Sequence, residues 1–178
     1  MKRKGAAAMR SSAPLKICAD SEAEGTITMI ALTLIQRIEA NWEQIAAQVV
    51  RQVHRDARLP HYRAISNHEI RERAAAIARN LGHWLARRND EEIASCYHDL
   101  GRRRFQEGVP LPELIYMITS IRKQIVRYAA EASPAQNSLD LYRELELCRG
   151  LNSFFDLILY HAAAGYDEAM REKAARAA

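Results

Sequence analysis

The residues able to do chemistry in this chain are scattered rather than grouped. Six histidines invite a metal reading. His54, His61 and His68 stand seven apart, but Pro60 separates the first from the others. A metal site built on helices needs ligands three or four residues apart on one face, and no His-x-x-x-His or Glu-x-x-His pair occurs. Cys18, Cys96 and Cys148 are odd in number and lack a Cys-x-x-Cys pair. Cys96 and Cys148 fall on apolar helix faces, where a thiol acts as a small hydrophobe. Glu91/Glu92 and Glu144/Glu146 are chain neighbours, which reads as solvated helix surface rather than as a catalytic pair. No glycine-rich phosphate loop or nucleophile elbow is present. These residues predict no enzyme, no metal and no cofactor.

Two histidines keep a haem reading open. A proximal ligand must sit on an apolar helix face, and only His83, beside Trp84, and His161, one turn from Ile158 and Gly165, meet that need. A globin-like haem or small-ligand sensor is therefore the alternative. It ranks below ordinary hydrogen-bonded histidines.

Arg102, Arg103 and Arg104 follow one another. At about 100° per residue they fan over roughly 200° of a helix and cannot face one partner. Arg104, four residues after Leu100, is expected on the core side, where a guanidinium needs an acid or carbonyl partner. A helix-turn-helix reader needs a tight glycine turn and a basic recognition helix. The connectors here are proline-containing or acidic, so no nucleic-acid partner is expected.

Helices must position these residues. The chain has 178 residues, 48% apolar and 27% charged, with seven glycines and five prolines. Ala, Leu, Ile, Arg and Glu dominate, a mix that favours helix over sheet. No run of about 18 apolar residues suggests a membrane span, and the basic start lacks the apolar core of a signal peptide. A cytoplasmic location is expected. Residues 1–18 carry five cations and no acid, which leaves 21 of the 26 basic residues against all 22 acids in the remainder. Residues 1–25 read as a disordered, solvated basic tail.

A helical domain is expected over residues 26–175. The first helix runs from Ile27 to near Ala57, on apolar residues at three- and four-residue steps, and Leu59-Pro60 stops it. Pro60-His61-Tyr62-Arg63 reads as a connector. Ser66 and Glu69 form a capping box, flanked by Ile65 and Ile70 as a hydrophobic staple. Asn89 and Asp90 open a third helix that Gly108 ends. Pro110 and Pro112 open a fourth, closed by Ser133-Pro134. The fifth starts near Asn137 or Ser138 and extends into the 170s, with Leu141, Leu145, Cys148, Leu151, Phe155 and Ile158 as its stripe. The predicted fold is all-α: a single-domain bundle of about five helices, mostly antiparallel because the connections are short.

The block Gly101-Arg102-Arg103-Arg104-Phe105-Gln106-Glu107-Gly108-Val109-Pro110-Leu111-Pro112-Glu113-Leu114, with Arg122 on the next helix, resembles the signature of the RsbT co-antagonist (RsbRD-type) N-terminal domain. Leu59-Pro60-His61-Tyr62-Arg63 and Leu81-Gly82-His83-Trp84-Leu85 are similar to that family too. The resemblance covers about residues 30–165. It implies a helical input module in bacterial stress and signal transduction, which in relatives precedes an output domain. No output domain follows the fifth helix in this sequence. The expected partner is therefore a separate signalling protein, a kinase or an anti-sigma-type regulator.

Gly101, Arg104, Gly108, Pro110, Leu111, Glu113 and Arg122 also have a physical reading. Gly101 allows close helix approach, and Gly108 and Pro110 make a tight corner. Arg104 and Arg122 meet across it if their helices are antiparallel neighbours. The plain expectation is a corner fixed by pairs with acids such as Glu107 or Glu113; the functional one is an anion or ligand pocket. On the fifth helix, Leu151, Phe155, Ile158 and Ala162 face the bundle. Phe154, Leu157, Tyr160 and His161 then fall on an outer face, expected either to build a homodimer or to be covered by the long first helix of the same chain.

Overall fold

The computed structural model describes residues 36, 38–87, 89–132 and 137–177. The expectations for the tail over residues 1–25 and for a helical start at Ile27 fall outside them, as does the stop at Ser133-Pro134. Residues 38–40 are helical and end at a turn at Asn41; after them come α1 (Trp42–Arg55), α2 (Pro60–Arg63), α3 (Asn67–Arg87), α4 (Asp90–Gln106), α5 (Leu111–Ala132) and α6 (Ser138–Ala177). No strand occurs among the described residues. Two differences raise the count above the expected five: the turn at Asn41 interrupts the expected first helix, and α2 is a single helical turn where a connector was predicted. Pro60 supplies a preset φ at its first position, and Tyr62 is buried there.

Local signals set the boundaries. Ser66 accepts the amide of Glu69 at 3.2 Å, the cap the sequence implied. Asp90, Glu91 and Glu92 open α4, where acids oppose the helix dipole. Its end is a Schellman turn. Gly108 adopts φ 75°, its amide donates to Phe105 O at 3.0 Å, and the Val109 amide donates to Arg104 O at 3.0 Å. Val109 is buried beneath the turn. Pro110 then lends its carbonyl to the amides of Glu113 and Leu114 and so caps α5.

Side-chain pairings give the helix directions. Gln124 donates to Gln52 at 2.6 Å and Gln52 to Ser120 at 3.3 Å, while Tyr116 donates to Asp56 at 2.6 Å. Rising numbers on α1 therefore meet falling numbers on α5. Asn80 reaches Tyr97 at 3.3 Å and Trp84 bonds Asp90, which makes α3 and α4 antiparallel. The exception is α4 with α6, the most extensive helix contact of the bundle. Here His98 pairs with Glu168 at 2.7 Å, and Arg102 with Glu168 and Glu172 at 2.9 Å each, so the two run parallel.

Two glycines allow that contact. A Cβ on Gly101 would lie 2.8 Å from the Tyr166 amide nitrogen and closer still to the Ala162 carbonyl oxygen. A Cβ on Gly165 would lie 2.8 Å from the His98 carbonyl carbon. Backbone packs against backbone at both positions, leaving no room for a Cβ. The predicted role of Gly101 in close approach is therefore met, with Gly165 as its counterpart.

The core runs along all the long helices. It includes Ile45, Val49 and Val53 of α1, Ile70, Leu81 and Trp84 of α3, Tyr97 of α4, Ile118 and Ile125 of α5, and Leu151, Phe155 and Ile158 of α6. Two expectations for the last helix need correction. Leu141 and Leu145 are exposed, as are Leu139 and Tyr142; the buried stripe begins at Leu147 and continues through Leu151, Phe154, Ile158 and Ala162. Cys96, expected on an apolar face, is exposed as well.

Candidate functional site

The signature block folds into one corner, and most of it is structural. Gly101 seats α6, Gly108 makes the turn, and Pro110 and Leu111 start α5. Glu113 is buried and accepts from the His61 amide at 3.1 Å, with His61 Nδ1 at 2.5 Å from its other oxygen. It ties α2 to α5 rather than pairing with an arginine of the block. Arg122 bridges to Asp156 of α6 at 3.6 Å and does not join Arg104. The two arginines take different partners, Glu107 and Asp156, and Arg122 does not line the cavity that Arg104 faces.

Arg104 is the member that faces inward. Its side chain is 3% exposed and ion-paired with Glu107, as the position four residues after Leu100 implied. Burial, followed by the nearby Arg73 cation, pulls its affinity for a proton below the ordinary guanidinium value. Tyr62 lies in the field of both cations, and burial pushes its phenol up to about 12. These groups line a cavity of about 300 Å³ between α3, α4 and α5. Ile77, Leu100, Met117, Ile118 and Ile121 form its apolar wall, and Asn80 and Arg103 add polar groups.

Arg73 was not singled out by the sequence. One of its nitrogens donates to Glu69, while Nη1 is buried with no protein partner. Its position four residues after Glu69 was a visible signal, but a solvated helix pair has the same spacing.

The histidines do not assemble a haem site around this cavity. None lines it. His83 is exposed on α3, and His161 is half-buried, edge-on to Tyr160 at 5.0 Å. No group of three His, Cys, Asp or Glu side chains suited to a metal occurs among the described residues. No described helix is long and apolar enough to cross a membrane.

A second polar cluster joins the end of α1 to α5. Asp56 accepts from Arg58 Nε at 2.9 Å and from Tyr116 Oη at 2.6 Å, and the Arg58 guanidinium lies 4.0 Å over the Tyr116 ring. The Arg58 and Tyr116 hydrogen bonds hold the Asp56 carboxyl far below the usual carboxylate range.

The family model described as the RsbT co-antagonist protein rsbRD N-terminal domain matches residues 43–178. The chain belongs to this family. The match begins in the first turn of α1 and includes every helix from α2 onward, leaving only the described residues up to Trp42 outside it. Nothing among curated proteins or solved structures matches the chain. The family is one of regulatory signalling domains.

The outer face proposed for a dimer is smaller in the structure than in the sequence. Phe154 does not belong to it. It is fully buried, with Tyr97 edge-on at 6.3 Å, Phe155 at 5.5 Å and Trp84 at 5.6 Å. A helix covered by α4, α5 and α3 buries both adjacent phenylalanines. Tyr160 is exposed, and Leu157 and His161 are half-buried.

Proposed function

We propose that this RsbRD N-terminal domain is a non-enzymatic input module of bacterial stress signalling, acting in the cytoplasm by direct contact with a kinase or an anti-sigma-type regulator. Membership of the family over residues 43–178 carries this reading. The signature residues support it, because they fix a helix corner and bring Arg103, Arg104, Glu107 and Leu114 to one cavity. Affinity capture from cells, with the full chain as bait, tests it. The expected result is enrichment of a signalling protein of one of those two kinds. Recovery of metabolic enzymes alone would overturn it.

A homodimer belongs to the same proposal, built on Leu157, Tyr160 and His161 with a two-fold axis along α6. Light scattering on the wild type and on L157E/Y160E checks it. A dimer that becomes a folded monomer is expected, and a monomeric wild type would end the idea.

The second reading, a small-ligand sensor, is favoured by the cavity beside Arg104. Small-molecule sites combine an apolar wall with a few convergent polar groups, and this cavity has both. Haem has no comparable support, since neither His83 nor His161 reaches that space.

A further inference from the structure

Arg73 and Arg104 approach the cavity from α3 and α4, and each carries a single carboxylate partner, Glu69 and Glu107 respectively. Arg104 is almost fully buried. Like charges held close away from water repel, and these two cations are close enough to disturb one another. Arg73 adds a buried N–H donor that no protein group accepts. Unpaired buried donors are uncommon in native proteins and call for an explanation. An anion in the cavity answers both features: it screens the pair and offers Arg73 an acceptor.

The charge balance limits the anion. Three arginines (73, 103 and 104) and two glutamates (69 and 107) line the space, an excess of one positive charge. A monoanion matches that excess, whereas a phosphate dianion exceeds it. The opposite wall is aliphatic, with Ile77, Met117, Ile118 and Ile121, so the rest of the ligand must be apolar. At about 300 Å³ the space lies at the small end of ligand pockets, which suits a body on the order of eight carbons.

We infer that the cavity between α3, α4 and α5 is the binding site of a small amphipathic carboxylate, its head held by Arg73 and Arg104 and its body against the aliphatic wall. The inference rests on the sensor reading for its biological meaning. Binding itself is tested independently of any partner.

The probe is sodium octanoate, titrated calorimetrically into the full chain at pH 7, with 1-octanol and octylamine as neutral and cationic controls. Saturable one-to-one binding is expected, with octanol at least tenfold weaker and octylamine silent. R73Q is expected to weaken octanoate roughly ten- to hundredfold, the loss of a charge-assisted hydrogen bond. R127Q, on the far side of α5, keeps wild-type affinity. R73K retains the charge without the planar fork and falls between the two, which covers the case in which R73Q does not fold. Failure of octanoate to saturate overturns the assignment, as does equal affinity for octanol. Equal affinity in all the variants, or an equal loss in R127Q, overturns it too. If octanoate fails while capture still returns a signalling protein, the cavity assignment falls and the input role stands.

Discussion

Gly101→Ala is expected to destabilise the protein by about 3 kcal/mol or more, against the usual gain of about 1 kcal/mol for alanine over glycine in a helix. The sign follows from geometry. The added methyl would lie 2.8 Å from the Tyr166 amide and nearer still to the Ala162 carbonyl. Both are backbone atoms of α6, which no rotamer change can move. The helices must separate along their whole contact, loosening the Arg102 bridges to Glu168 and Glu172 as well. In a domain of this size the melting temperature should fall by roughly 6–12 °C. Gly165→Ala meets the same interface from the other side and should cost a similar amount. The double variant should cost less than the sum, because the first methyl already parts the helices. Chemical denaturation of the four proteins measures this. A stabilised G101A would show that α4 and α6 do not touch as described.

Phe154→Ala is expected to cost about 3–5 kcal/mol, the range for truncating a fully buried phenylalanine. The ring joins three helices, through Trp84 of α3, Tyr97 of α4 and Phe155 of α6. Its removal leaves a cavity that three separate backbones would have to close. Met170→Ala, exposed near the end of α6 and away from the proposed dimer face, should change stability by no more than about 0.5 kcal/mol. Urea unfolding of the two variants separates core from surface on this helix. Equal effects would contradict the burial of Phe154.

What the sequence disclosed depended on whether the deciding physics was local. The capping box at Ser66, the acidic start of α4 and the Gly108 turn rest on contacts within a few residues, and all were readable. So was the inward direction of Arg104, which needs only the helix period. The bundle itself followed from apolar spacing. Pairings between helices were not readable. Arg122 has several acids within reach of an unknown packing, and Asp156 was chosen by the register of α5 against α6. Phe154 and Phe155 are both buried because α6 is enclosed by α4, α5 and α3 together, whereas a single stripe predicts one inward and one outward ring. Leu141 and Leu145 continue the apolar period of α6, yet lie before its first buried residue, Leu147. Periodicity marks a face but not what covers it. The Arg73–Arg104 cavity is the clearest case: its two cations are 31 positions apart by their numbers and meet only because α3 and α4 are antiparallel.

The central claim is that the domain regulates a partner without reacting itself. Its most direct measurement is the captured partner's own activity, phosphoryl transfer for a kinase or target binding for an anti-sigma-type regulator, with and without one equivalent of this chain. The account predicts a saturable change in that activity while the chain remains chemically unmodified. An unchanged partner, or turnover of a substrate by the chain alone, would contradict it.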